Sequence, residues 1–118
     1  MPPGWPVAVL PPQAPDWERS AVGWLFDLCP PDYRVHEVLR RHPIVLARFA
    51  AGHVESAVEA ARQGIRTARA DLLDVVGPDV VQAAIVAYER EGRRLVTTGR
   101  EVVLVAAALR GERHVPRL

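Results

Sequence analysis

The sequence predicts an all-α protein: a long antiparallel helical hairpin with two short N-terminal helices packed at its open end, dimerising into a four-helix core. Three observations predict this fold. Apolar residues recur at three- and four-residue steps from Pro43 to Val76, the helix-breaking pair Gly77-Pro78 follows at once, and a seven-residue repeat begins at Val81. Two amphipathic helices separated by so short a break should reverse direction and pack on each other.

Length and charge exclude several classes of protein. A chain of 118 residues is long enough for one domain and too short for two. The formal net charge of +1 excludes the strongly basic composition of a dedicated nucleic-acid binder. The single cysteine, Cys29, excludes an internal disulfide and a cysteine pair for a metal. We expect no membrane span, because no apolar run approaches the roughly 20 residues that cross a bilayer. The protein is also expected to be cytoplasmic and to use no metal or cofactor.

The chain divides into an arm and one domain. Residues 1–15 are rich in proline and are predicted to form an extended arm, laid on the surface by Trp5. Residues 16–118 are predicted to form a single helical domain. Its helices are expected at about 16–28, 32–41, 43–76 and 79–110.

Pro-Asp dipeptides mark three of the predicted helix starts, at Asp16, Asp32 and Asp79. An aspartate is a good N-cap because its carboxylate accepts hydrogen bonds from the free N–H groups of the first turn. At the other end of the domain, Gly111 is predicted to end the fourth helix as its C-cap.

Two rows of residues at seven-residue steps form the inner seam of the fourth helix, and two glycines lie in the second row. The first row is Val81, Tyr88, Leu95, Val102 and Leu109, and the second is Ile85, Gly92, Gly99 and Ala106. Rows in this register are typical of coiled-coil packing. Gly92 and Gly99 are therefore predicted to be close-contact positions for a neighbouring helix.

Charged residues suggest the register of the hairpin. A reversal at Gly77 would bring acidic and basic side chains of the two long helices opposite each other. The expected pairs are Glu55 with Arg100, Glu59 with Arg93, and Arg66 with Glu89. Such surface pairs contribute only about 0 to 1 kcal/mol each, so they indicate register more than stability.

A winged helix is the alternative for the same stretch. The segment VVQAAIVAYEREG would then be a recognition helix, and RRLVTT and REVVLV would be two strands. The β-branched residues favour this alternative, and each glycine within a helix costs about 0.8 to 1 kcal/mol relative to alanine. The absence of clean alternation and the seven-residue seam favour the helix.

Two groups of side chains are candidates for ligand binding. Aromatic residues concentrate near the open end of the hairpin, and a small-molecule pocket there would be bounded by Trp17, Trp24, Phe49 and His53. An arginine ridge over the middle of the hairpin could contact phosphates. Its members are Arg62, Arg66, Arg69, Arg90, Arg93 and Arg94. Glutamates interleave with these arginines, which favours a solvated, ion-paired face over a phosphate site.

No assembled catalytic or metal site is indicated. The run His36-Glu37-Val38-Leu39-Arg40 resembles the zinc-protease pattern, but Arg40 stands where the second histidine ligand is needed. Cys29 follows a predicted helix C-terminus, whose negative dipole end disfavours the reactive thiolate.

The run WLFDLCPPDYRVHEVLRRHPIVLARFAAGHVESAVEAAR, preceded by the proline-rich arm with Trp5, resembles short proteins of unknown function from high-GC actinobacteria. The resemblance implies a cytoplasmic bacterial protein and carries no activity or residue roles. The expected function is a non-enzymatic helical interaction or oligomerisation protein, acting as a homodimer or on a protein partner. Alternatives are a winged-helix DNA-binding transcriptional regulator and, last, a small-molecule binder or enzyme that uses the aromatic end.

Overall fold

Two long helices dominate the computed structural model, which describes residues 2–111. The predicted all-α hairpin is confirmed: the long helices pack closely against each other, and no strand occurs within residues 2–111. The elements are α1 (Trp17–Leu28), a 3-10 helix (Pro31–Val35), α2 (Glu37–Arg41), α3 (Pro43–Val76) and α4 (Pro78–Leu109). The predicted bounds of α1, α3 and α4 differ from these by at most one residue, whereas the second predicted helix, 32–41, is interrupted at His36.

Gly77 makes the reversal between α3 and α4. Its φ of 81° lies in the region that favours glycine, and its N–H donates to the carbonyl of Leu73. Pro78 then takes the first position of α4, where a missing N–H costs nothing. The Gly-Pro pair therefore ends one helix and starts the next without an intervening loop.

The two long helices lie in the expected antiparallel register. A Cβ added at Gly92 would lie 3.7 Å from Cβ of Ala61, and one added at Gly99 would lie 3.7 Å from Val54. These are ordinary van der Waals distances, so both glycines face α3 and a methyl group at either position would contact it without a clash. Small residues at this contact let the two helix backbones approach closely.

Residues 93–105 belong to α4, so the strands that the winged-helix alternative requires are helical in the structure. The β-branched residues that favoured strands fit this helix. Thr98 is buried, and its hydroxyl donates to the carbonyl of Arg94 at 3.0 Å, which satisfies the polar group within the helix itself. Val102 and Val105 are buried toward the N-terminal elements.

The main core lies at the open end of the hairpin. There α1 packs on α3 and α4, and α2 packs on α3. Leu25, Leu39 and Leu46 are fully buried in this cluster, together with Val102 and Val105. A second and much smaller cluster lies near the tip and contains Ala68, Val81 and Ile85.

The N-terminal arm is a series of tight turns, which differs from the extended arm predicted for residues 1–15. Trp5 N–H bonds to the carbonyl of Pro2, and Val9 N–H bonds to that of Pro6. The first of these turns has proline and then glycine at its centre, with a φ of 80° at Gly4, as a type II turn requires. Trp5 is buried, and its indole N–H donates to the carbonyl of Val9 at 3.0 Å.

The predicted aspartate caps are absent. Asp16 has a left-handed φ of 62° and makes no side-chain capping bond, and Asp79 lies inside the first turn of α4 behind Pro78. In these Pro-Asp pairs at Asp32 and Asp79, the proline is the first helical residue, so the cap position falls one residue before it. Gly111 has a φ of 83°, as expected for a residue that ends a helix. The predicted domain extends to residue 118, and residues 112–118 lie outside the described part.

Candidate interaction surface

The middle of the hairpin has a shallow groove on each side. Residues of α4 that are two positions apart line opposite grooves, because such positions point in nearly opposite directions on a helix. One groove, here called the arginine face, has a volume of about 520 Å³ and is lined by Val58, Ala61, Arg62, Ile65, Tyr88, Glu89, Gly92, Arg93, Val96, Thr97 and Arg100. The other, the alanine face, has a volume of about 530 Å³ and is lined by Asp27, Leu28, His53, Val54, Ala57, Ala60, Ala61, Tyr88, Glu91, Arg94, Leu95 and Thr98.

The N-terminal elements cover the two faces unequally. Asp27 and Leu28, at the end of α1, border the alanine face. The arm reaches the arginine face only at its edge, where Pro3 and Gly4 lie beside Thr97 and Arg100. The arginine face is therefore the more open of the two.

Apolar side chains remain exposed along the hairpin. Ile65 is 36% exposed, Val86 is 37% exposed and Leu73 is 47% exposed. The floor of the arginine face combines such aliphatic groups with small residues and has arginines at its rim. A surface of this kind suits the apolar face of another helix.

Tyr88 lies between the two grooves and packs on α3. A Cβ added at Gly64 would come closer than 3.0 Å to the ring of Tyr88, so this ring would have to shift. Gly64 is therefore the glycine of the hairpin contact that a larger residue would disturb most. The seven-residue seam identified Tyr88, and the predicted pairing of Arg66 with Glu89 places Gly64 close to it, but Gly64 itself was not among the predicted contact glycines.

The four predicted pocket residues make separate contacts in the structure. Trp17 packs on Trp5 with ring centroids 6.2 Å apart. Phe49 and His53 instead contact Tyr33, at 6.1 and 6.2 Å. Phe49 is 44% exposed, and Trp24 packs on the main core cluster. Trp17 and the pair of Phe49 and His53 thus have different aromatic neighbours, which closeness in sequence did not reveal.

The six predicted phosphate contacts do not form one ridge. Arg62 and Arg93 border the arginine face, whereas Arg94 borders the alanine face. Arg90 lies beside Ala83 and Val86, and Arg69 donates to Oε1 of Gln82 at 3.1 Å. Arg100, which was not among the six, completes the rim of the arginine face.

The expected ion pairs between α3 and α4 are not formed within residues 2–111. Arg66 bonds to Glu59 at 3.1 Å and to Gln63 at 2.6 Å, all on α3. Arg94 pairs with Glu91 within α4, and this hydrogen bond lowers the pKa of Glu91 and raises that of Arg94. Among the residues of the predicted pairs, Glu59 and Arg66 therefore have partners on their own helix instead of across the hairpin.

Titratable groups elsewhere offer little chemistry. Cys29 is buried, and burial raises the pKa of its thiol, only partly offset by the charge of Arg34, so the reactive thiolate is disfavoured.

Within residues 2–111, no three side chains that could ligate a metal come together. No helix in the same part of the chain is long and apolar enough to cross a membrane.

Comparison with protein-family models, curated proteins and solved structures gives no match for this chain. The geometry of the hairpin and its two faces therefore carries the functional argument.

Proposed function

We propose that this protein is a non-enzymatic helical interaction protein whose working unit is a homodimer assembled on the α3–α4 hairpin. The observation that carries the proposal is that the N-terminal elements pack on only part of the length of the hairpin. Helices of 34 and 32 residues are each about 50 Å long. The N-terminal elements pack only around the open end.

The dimensions of the chain support the same proposal. Its radius of gyration is 17.5 Å, whereas a compact domain of this length has about 13 to 14 Å. Its thinnest dimension is 17 Å, so most of the hairpin has solvent on both sides. Long helices in proteins draw most of their stability from packing an apolar stripe against a neighbour, and a second copy supplies such a neighbour.

Light scattering coupled to size-exclusion chromatography tests the proposal. A dimer has twice the 13.0 kDa mass of the chain, and its unfolding midpoint rises with protein concentration because association stabilises only the folded form. A well-folded monomer whose unfolding midpoint does not depend on concentration would contradict the proposal.

A further inference from the structure

One row of apolar residues on α3 is left without a partner in the single chain. Ile44, Ala51, Val58 and Ile65 follow one another at seven-residue steps, and the last two line the arginine face. Positions seven apart on a helix differ in direction by about 20°, so over the three repeats from Ile65 to Ile44 the row turns by about 60° while it runs from this face toward the open end. Ile44 is 42% exposed and Ile65 is 36% exposed.

Four charged groups of the same region also lack a partner. Glu55, Glu89, Arg93 and Arg100 have no oppositely charged group within 4.0 Å in the described part of the chain. Arg62 has only a long contact of 3.8 Å with Glu59. Exposed apolar side chains and unpaired charged side chains therefore lie on or beside the arginine face.

We propose that the arginine face is the dimer interface, and that a second copy of this chain packs on it face to face with its hairpin running in the opposite direction. This inference rests on the proposed homodimer and adds the face and the register. In this arrangement α3 packs on α3 and α4 on α4, about a two-fold axis that passes the hairpin near Val58.

Charge complementarity selects the register. On α3, Glu55 lies opposite Arg62 of the second copy when the axis passes halfway between these positions, next to Val58. On α4, Glu89 lies opposite Arg100 of the second copy when the axis passes next to Leu95. The contacts of Ala61 with Gly92 and of Val54 with Gly99 place these two midpoints at the same height in the hairpin. A single two-fold axis therefore satisfies both pairs.

Exposed apolar residues match in the same register. Ile44 lies opposite Leu73 of the second copy, and Val103, which is 65% exposed, lies opposite Val86. Val58 meets its own copy at the axis, as a residue on an isologous interface must. The register also brings Arg48 opposite Arg69, which is an unfavourable like-charged pair; the guanidinium of Arg69 already donates to Gln82.

The available area is adequate for a stable dimer. A face about 50 Å long and two helices wide, at about 9 Å per helix, offers roughly 900 Å² per copy. Standard protein interfaces bury about 800 Å² per partner.

Site-specific cross-linking tests the face. In a Cys29→Ser background, Val58→Cys should be joined to its own copy by a short bis-maleimide, because the two thiols meet at the axis. Ala60→Cys is the matched control, since Ala60 is exposed on the alanine face of the same helix, and it should remain uncross-linked. Cross-linking of Ala60→Cys in place of Val58→Cys, or of neither in a protein that scatters as a dimer, overturns the face and leaves the homodimer standing. A monomer by light scattering overturns both proposals.

Charge reversal tests the register without depending on the cysteine variants. Glu55→Arg places an arginine opposite Arg62 of the second copy on both sides of the axis. The two like-charged pairs should weaken dimerisation by about tenfold or more. Adding Arg62→Glu restores opposite charges and should recover most of the loss. Asp71→Arg makes the same charge change outside the interface and should leave the dimer dissociation constant within about threefold. Failure of Arg62→Glu to rescue Glu55→Arg would overturn the register.

Discussion

The two halves of the hairpin have very different surroundings. At the open end, α1, α2 and the arm supply large side chains such as Leu25 and Leu39, which are fully buried against α3 and α4. In the other half, the long helices have only each other, and the buried cluster there contains Ala68, Val81 and Ile85.

This difference shows what small residues do at a helix contact. Glycine and alanine allow the two backbones to come close, as at Gly92 and Ala61, but they bury few apolar atoms, and burial stabilises at about 25 cal/mol per Å². The open end is therefore expected to hold most of the stability of a single chain. The half near the tip gains most from association.

Truncating one leucine in each half of α3 should give the largest contrast. Leu46 is fully buried at the open end, so Leu46→Ala should lower the free energy of unfolding by about 2 to 5 kcal/mol. Leu73 is 47% exposed near the tip, so Leu73→Ala should cost less than about 1 kcal/mol in dilute, monomeric protein. Urea unfolding of both variants measures the difference, and equal losses at low concentration would contradict the contrast between the halves.

Alanine substitutions at two glycines of the hairpin contact, Gly92 and Gly64, should have opposite and smaller effects on stability. Gly92→Ala has room for its methyl group and should stabilise the protein by about 0.5 to 1 kcal/mol through helix propensity. Gly64→Ala forces the ring of Tyr88 to move, and such overpacking costs about 1 to 3 kcal/mol, so this variant should be less stable than wild type by up to about 2 kcal/mol.

A double-mutant cycle identifies the cause. With Tyr88→Ala in place, the obstacle is gone, and Gly64→Ala should stabilise the chain by about as much as Gly92→Ala does. If Gly64→Ala is equally harmful with and without the tyrosine ring, the contact between Gly64 and Tyr88 is not what limits this position.

The periodicity of apolar residues and the positions of helix-breaking residues predicted most of the fold. The Gly77-Pro78 break and the seven-residue seam allowed α3 and α4 to be bounded within a residue or two, because both signals act on the backbone directly. The turns of the arm were missed although Pro3-Gly4 is a strong turn signal. Proline is common in extended chain, but it also presets the backbone of a turn.

Side-chain arrangements were predicted less well. Arginine is long and flexible, so Arg66 reached Glu59 and Gln63 on its own helix before any partner across the hairpin. The aromatic pocket remains a prediction, because Trp17 and Phe49 belong to helices whose relative rotation no local pattern specifies. The face that a residue occupies depends on tertiary packing, and only the long helices had a repeat strong enough to reveal it.

The smallest expected effect is a pair of opposite pH dependences from two carboxylates of α4. Burial raises the pKa of Glu101, which lies beside Pro3 and Gly4 of the arm. The folded state therefore binds this proton more tightly than the unfolded state, whose glutamate pKa is about 4.3. Stability from this group is present at acid pH and is lost as pH rises through the folded pKa.

Glu91 should behave in the opposite way, because its hydrogen bond with Arg94 lowers its pKa. Its contribution is present above the unfolded pKa and is lost as pH falls toward the folded one. Relative to wild type, Glu101→Gln should therefore gain stability as pH rises from about 3 to 7, and Glu91→Gln should lose it. Urea unfolding across this range measures both trends. Trends of the same sign in the two variants would mean that water reaches Glu101 as freely as it reaches Glu91, and that the arm does not shield α4 at the open end.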